Sequence, residues 1–233
     1  YEVNGRTYVL TANEGDSRDY DGFSEETRIG DLVLDPTRFP DAATLQLDEN
    51  LGRLKTTTAL GDIDNDGDVD QLISYGARSF SIWDGMSGQQ VYDSGSEFAV
   101  ITARRFGDDF NNNNDENAGE DRSDDKGSEP EALAIGTVNG ATFAFIGLER
   151  MGGIMVYDIS HPESPRFIQY VSNRDIHLDF DGNVSSELSN AGDLGPEGMV
   201  FVDEVDSPTG LPLLIVGSEV SGSTTIYEVS PLK

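Results

Sequence analysis

Residues 141–160, ATFAFIGLERMGGIMVYDIS, and residues 211–230, LPLLIVGSEVSGSTTIYEVS, follow one plan. Each opens with an apolar run, breaks at a turn containing Glu, passes a glycine and resumes in a second run that ends Tyr-Asp or Tyr-Glu. RTYVLTANEGDSRDY (6–20) repeats the first half of the plan, and YGARSFSIWDG (75–85) the second. SEPEALAIG (128–136) and GPEGMVFVD (195–203) carry Pro-Glu into a further run and precede the two full copies. The unit therefore reads: Pro-Glu strand, strand closed by Glu, outer strand closed by Tyr or Trp with an acid. A unit that cannot bury its own apolar face must stack on its neighbours, and four-stranded units of this length build the blades of β-propellers.

The rest of the chain agrees with an all-β fold. β-branched and aromatic runs at 7–12, 72–75, 79–83, 98–102, 141–148, 153–159, 166–171, 198–202, 212–216 and 224–229 alternate with Gly, Pro, Asn and Asp clusters, so each reads as a strand between turns. The one helical stretch expected is short, around residues 41–47. Two long polar insertions, about 15–55 and 105–128, read as acidic loops. The second holds Asn111-Asn-Asn-Asn-Asp-Glu116, a tract too polar to build a core and expected at the surface. About three to four blades can be counted, ragged at both ends. Tyr1 opens directly into a strand pattern without an initiator Met. The expectation is a single domain over residues 1–233, the C-terminal part of a β-propeller whose N-terminal blades are absent from this chain. A partner is then required to complete the ring, either that missing N-terminal portion or another chain, because a propeller hides its sheet edges by closing.

Charge narrows the function. Asp and Glu number 44 against 15 Lys and Arg, a formal net charge of −29. Such a surface repels nucleic acid and anionic lipid, and it favours cations. There is no cysteine, so disulfides and thiolate metal sites are excluded. No apolar run approaches the ~18 residues of a membrane span. Within GDIDNDGDVDQL (61–72), Asp62, Asp64 and Asp66 fall at loop positions one, three and five, Gly67 at six and Asp70 at nine, with Asp68 between. Hard oxygens at that spacing suit Ca2+. An EF-hand needs a bidentate Glu at position twelve, where this chain has Ile73, and the stretch from Gln71 to Tyr75 reads as a strand rather than an exiting helix.

The segments TANEGDSRDY, YGARSFSIWD, FNNNND, RSDDKGSEPE, FIGLERMGGIMVYD, GDLGPEGM and SEVSGSTTIYEV together resemble the choice-of-anchor I domain family, in order and over essentially the whole chain. The resemblance implies a secreted or surface-anchored bacterial protein with relatives among animal cell-surface glycoproteins. It also implies a propeller of about seven blades, of which this is the C-terminal half. Some members carry an alkaline phosphatase label.

Glutamates repeated at strand ends around a propeller converge on one face. Here they are Glu14, Glu131, Glu149, Glu197 and Glu219, the candidate ring for a second divalent cation beside Ca2+. Arg122, Asp124, Asp125, Lys126 and Arg150 lie in the adjoining turns and are the candidate catalytic groups. Metals polarise a phosphoryl oxygen and activate water while Arg and Lys hold the other oxygens, which is the chemistry of a phosphate-ester hydrolase. The same ring also reads as Arg–Glu bridges that stitch blades together. His161 and His177 sit in polar turns, which argues against a Ser-His-Asp triad. Asn183-Val-Ser185 fits a glycosylation sequon. Two functions stand: a metal-dependent extracellular phosphate-ester hydrolase, or a non-catalytic, calcium-stabilised surface or adhesion module that takes a surface ligand.

Overall fold

The structure is a computed structural model and describes residues 1–178 and 190–230, so the sequon at 183–185 lies outside the described residues. In chain order the strands are β1 (Glu2–Val3), β2 (Arg6–Asn13), β3 (Asp19–Tyr20), β4 (Phe23–Ser24), β5 (Glu26–Arg28), β6 (Lys55–Thr57), β7 (Ser79–Asp84) and β8 (Gln90–Asp93). They continue as β9 (Pro130–Val138), β10 (Ala141–Leu148), β11 (Ile154–Asp158), β12 (Arg166–Val171), β13 (Pro196–Val202), β14 (Leu213–Ser218) and β15 (Ser223–Glu228). Two short α-helices, α1 (Ala42–Leu45) and α2 (Glu97–Phe106), and two single 3-10 turns at Ile29–Asp31 and Gly107–Asp109 are the other elements among the described residues. The fold is all-β.

Five antiparallel sheets form among the described residues. Three carry the architecture, with strand orders β1-β2-β7-β8, β12-β11-β10-β9 and β13-β14-β15. The other two are the small pairs β3-β4 and β5-β6. The repeat seen in the sequence maps onto the large sheets: each Pro-Glu run is a first strand (β9, β13), and each Glu-closed run is the strand beside it (β10, β14). β9 lies against both β2 and β13, so the three sheets follow one another around a common side.

Period-two alternation explains how the sheets stack. Along β10, Ala144, Ile146 and Leu148 face the first sheet and join Tyr8, Leu10, Phe80, Ile82 and Phe98 in one core. The intervening Phe145 faces the other way and meets Leu214 and Val216 of the third sheet in a second core. β11 divides in the same manner, Met155 and Tyr157 to one side and Ile154 and Val156 to the other. A sheet buried on both faces needs near-continuous apolar strands, and β10 and β11 have them. Phe80 is the hub of the first core, with ring centroids 4.8 Å from Tyr157, 5.4 Å from Tyr92 and 6.1 Å from Phe98.

Three expectations are corrected. Residues 98–102 are helical, within α2. Phe98 and Thr102, four apart, are its buried face, and Thr102 Oγ1 donates back to the Phe98 carbonyl at 2.9 Å; spacing of four defeats the β-branched composition. The stretch from Gln71 to Tyr75 forms no strand; only Ser74 bridges, to Thr56. The asparagine tract is not a surface loop, since Asn111, Asn112, Asn113 and Asn114 are all buried. Most of its polar groups find partners inside: Arg174, itself only 8% exposed, donates to Asn112 Oδ1 at 3.0 Å and to the Asn113 carbonyl, Arg150 donates to Asn114 Oδ1 at 2.7 Å, Asn111 Nδ2 donates to Ser123 Oγ at 2.9 Å and Asn113 Nδ2 to Asp121 at 2.8 Å, while Asn111 Oδ1 and Asn112 Nδ2 have no partner among the described residues. A polar tract can be interior when its hydrogen bonds are made there. No helix among the described residues is long and apolar enough to cross a membrane.

Phe80→Ala empties the centre of the first core. Urea unfolding monitored by tryptophan fluorescence should show a loss of about 3–5 kcal/mol; a loss near zero would mean that the first and second sheets do not depend on this cluster.

Candidate functional site

Register places the strand-end glutamates together. Leu148 pairs with Pro130, so Glu149, one step past β10, lies beside Glu131 at the start of β9. Pro196 pairs with Ser218, which puts Glu219 beside Glu197 in the third sheet. Both junctions carry a β-bulge and the same backbone clasp: Glu149 N donates to the Glu129 carbonyl at 2.7 Å, and Glu219 N to the Gly195 carbonyl at 2.8 Å. Glu14 lies one residue past the end of β2 in the first sheet. The chain leaves Glu14 through Gly15 at φ 70°, packed back to back against Gly76 at φ 62°; a Cβ on either residue would overlap the other strand's backbone, so only glycine allows this approach.

The result is a cleft of about 520 Å³ lined by Glu14, Glu131, Glu149, Glu197 and Glu219, by Arg122, Asp125, Lys126 and Arg150, and by Asp16, Ser17, Asp19, Glu26 and Lys55. Every member of the expected ring is present. Of the expected catalytic set, only Asp124 is elsewhere: its carboxylate is held by Arg28 at 2.8 Å and Arg53 at 2.7 Å on another face. Those two bonds keep Asp124 below the usual carboxylate range in spite of its partial burial.

At the floor is a residue that strand reading passed over. Glu129 is fully buried and adopts φ 54°, a left-handed conformation uncommon outside glycine. Arg122 Nη2 lies 2.5 Å from its Oε1, Lys126 Nζ 2.9 Å from its Oε2, and Arg150 Nε 3.5 Å from the same oxygen. Against the cost of burial, the hydrogen bonds from Lys126 and Arg122 hold Glu129 below its ordinary value. The cations are shared further. Lys126 also reaches Glu14 at 2.6 Å, Arg122 reaches Asp125 at 2.9 Å, and Arg150 reaches Glu149 at 3.3 Å while donating to Asn114 Oδ1 at 2.7 Å. Lys55 joins Glu26 at 3.1 Å to Asp125 at 3.0 Å. The signal in the sequence was the first Glu of Ser-Glu-Pro-Glu, overshadowed by the second.

The remaining acids are left over. Glu131, Glu197 and Glu219 have no ion pair among the described residues. Burial, and then the neighbouring Glu14, Glu197 and Glu219, raise Glu131. A hydrogen bond with Glu219 and the charge of that group raise Glu197. Glu149 is pushed up to about 7, by burial above all and by Glu129, with Arg150 opposing. Nine carboxylates thus face four cations that are already engaged, and the cleft carries surplus negative charge.

Three carboxylate groups could hold a metal ion. Glu14, Glu129 and Glu149 bring oxygens within 4.8 Å of one another, but two of these three already bond the Lys126 ammonium. In the acidic loop, Asp62, Asp64 and Asp70 gather in the same way. Asp68 turns instead toward Asp35 and Asp70, because the parallel bridge from Leu34 to Val69 brings Asp35 alongside. Asp66 belongs to neither group. Repulsion from Asp66, then burial and Asp70, raises Asp64, and burial, then Asp66, raises Asp68. His161 and His177 are exposed, with His177 3.6 Å from Asp109.

A family model described as the choice-of-anchor I domain matches residues 1–162, and the chain belongs to that family. The match is shorter than the span of the motifs read in the sequence. Gigasin-3a from Magallana gigas is 30% identical over 200 residues, covering 81% of this chain and 68% of the relative. No solved structure matches the chain.

Glu149 has a folded-state value near 7 against about 4.5 unfolded. The folded form binds the proton more tightly, so stability from this group is present at low pH and falls as pH rises from about 4.5 through about 7. The melting temperature of Glu149→Gln should decline less over that window than that of the parent chain. Parallel curves would place the raised group elsewhere.

Proposed function

We propose that this choice-of-anchor I domain is part of a cell-surface or secreted β-propeller that binds divalent cations, with Ca2+ in the acidic loop and the glutamate cleft as a second cation-receiving site. The surface location rests on family membership. The propeller reading is supported by successive four-, four- and three-stranded antiparallel sheets in which β9 adjoins β2 on one side and β13 on the other. The observation that carries the cation reading is the unbalanced charge of the cleft, where Glu131, Glu197 and Glu219 converge with no ion pair among the described residues. In the loop, Asp62, Asp64 and Asp70 supply three oxygens of the six to eight that Ca2+ takes, the rest coming from backbone and water.

One observation favours a hydrolytic reading beside this one. Arg122, Lys126 and Arg150 line the same cleft as the carboxylates, so metal and phosphate-ester oxygens would be held side by side. A bound metal would polarise the phosphoryl oxygen. Lys126 and Arg150 would first have to release Glu129, and this reserve of engaged cations makes cation binding without catalysis the stronger reading.

Ca2+ binds only the folded chain and should raise its melting temperature. At about a hundred times the dissociation constant the gain is about 2.7 kcal/mol, or about 5–10 °C for a chain of this size. EDTA should reverse it, and Asp64→Ala should remove the loop's share. Unchanged melting with EDTA against a Ca2+-saturated control rules out the loop assignment. 4-Nitrophenyl phosphate and its diester, tested with Ca2+, Mn2+ and Zn2+, should turn over only if the hydrolytic reading holds.

A further inference from the structure

Among the described residues the third sheet stops one strand short. In the first sheet β8 flanks β7, and in the second β12 flanks β11, whereas β15, the corresponding third strand, ends its sheet. Burial shows the consequence. β7 and β11 are buried along nearly their whole length, but β15 alternates half-buried Thr225 and Tyr227 with exposed Thr224, Ile226 and Glu228. Its edge is open and regular. Val229 N donates to the Pro212 carbonyl at 2.8 Å, and the pairing from Leu213↔Glu228 to Ser218↔Ser223 runs without a bulge. Backbone hydrogen bonds alternate sides along an antiparallel strand, so the N–H and C=O groups of Thr224, Ile226 and Glu228 face away from β14. The outer strands of the other two sheets are guarded. Each joins its neighbour through a bulge; β8 is four residues long and ends in Asp93, and β12 opens with Arg166. Bulges, charges and shortness blunt an edge against further pairing, and β15 has only its terminal Glu.

Beside that edge the second sheet offers a floor. Two adjoining hollows of about 290 and 430 Å³ share Phe145, Val156 and Gln169 on the second sheet and Val229 and Ser230 just past β15. Ile168 of β12 lines one of them and Tyr227 the other. Because the floor includes β12, the space beside β15 takes a single strand. A second copy pairing through its own β15 would bring its second sheet into the same place. The charge around the hollows is negative. Glu228 on the edge, and Asp203 and Glu204 near Val229 and Ser230, have no ion pair among the described residues, while Arg166 is held by Asp158 at 3.3 Å.

We propose that an extended segment of a separate polypeptide, apolar at alternate positions and basic between them, adds to β15 as an antiparallel fourth strand. Its main chain meets the outward groups of Thr224, Ile226 and Glu228, and its apolar side chains enter the hollows over Phe145, Val156 and Ile168. A Lys or Arg on its other face stands across from Glu228. Charge complementarity selects a basic strand, since an acidic one would meet Glu228, Asp203 and Glu204. β8 and β12 show what such a place holds in this molecule: one short antiparallel strand. The inference stands on the third sheet alone and is independent of the cation sites.

The test uses the full chain and a fluorescein-labelled peptide alternating isoleucine with lysine, read by fluorescence anisotropy. Its controls are an isoleucine–glutamate alternation and a peptide of the same composition with isoleucines and lysines in separate blocks. The alternating lysine peptide should bind more tightly than either. Hydrogen exchange at the Ile226 and Glu228 amides should be fast in the free chain and slow on binding. Ile226→Pro removes an outward N–H at a sheet edge, where proline is tolerated, and should weaken binding about tenfold with an unchanged circular dichroism spectrum. If that variant does not fold, Ile168→Ser carries the test and should weaken binding several-fold. Equal binding by the parent and a folded variant overturns the proposal, as does equal binding of all three peptides. Slow exchange at Ile226 and Glu228 in the free monomer would assign the place to the chain's own residues. Slowing that appears only as the chain dimerises with concentration would assign it to a second copy. Either result overturns the partner strand.

Discussion

Glu129 is a carboxylate with no contact with water, and three basic residues are arranged around it. Taking such a charge out of water is costly unless cations and hydrogen bonds meet it, and removing one partner of a buried pair costs on the order of 3–5 kcal/mol. Arg122, Lys126 and Arg150 are therefore fixed in place before any ligand arrives. Lys126 extends the arrangement to Glu14 on the first sheet, so the joint between the first two sheets is electrostatic at its rim and apolar beneath. The charge that remains at the mouth of the cleft is set by this commitment of the cations to the floor.

The junctions that bear the glutamates repeat a local solution. A Pro-Glu entry, a bulge and a backbone clasp recur in the second and third sheets with the same register. Each places one acid at the start of a first strand and one at the end of the second. Stacking sheets built this way multiplies carboxylates on one side of the molecule, and repulsion there shows in the raised Glu131, Glu149 and Glu197. Family membership and the antiparallel sheets agree with that construction.

Much of this was legible in the sequence because strand periodicity is short-range: β10 and β12 were read residue for residue, and the five ring glutamates follow from their offset to strand ends. What was missed depends on partners distant in the chain. Asn112 and Asn113 are held inside by Arg174, some sixty residues on, and Asn114 by Arg150, whereas composition alone sends such a tract to the surface. Glu129 sits one residue from the strand start and looks like turn filler until its three cations are seen in space. Asp124 and Asp125 are neighbours with opposite fates, because a turn points adjacent side chains apart: Asp125 enters the cleft, while Asp124 is drawn away by Arg28 and Arg53. α2 was misread because Val and Ile mark strands on average, whereas the four-residue spacing of Phe98 and Thr102 decides here.

The middle sheet serves as a shared wall, with Ile146 and Tyr157 turned to one neighbour and Phe145 and Val156 to the other. Cutting the molecule on either side of that wall would strip water-shunning surface bare, so no boundary for a minimal expressible piece can fall between the sheets. A graft, an inserted tag or a permuted terminus belongs instead in outward connections such as the turn at Ser207 to Gly210, where the chain bonds only to itself.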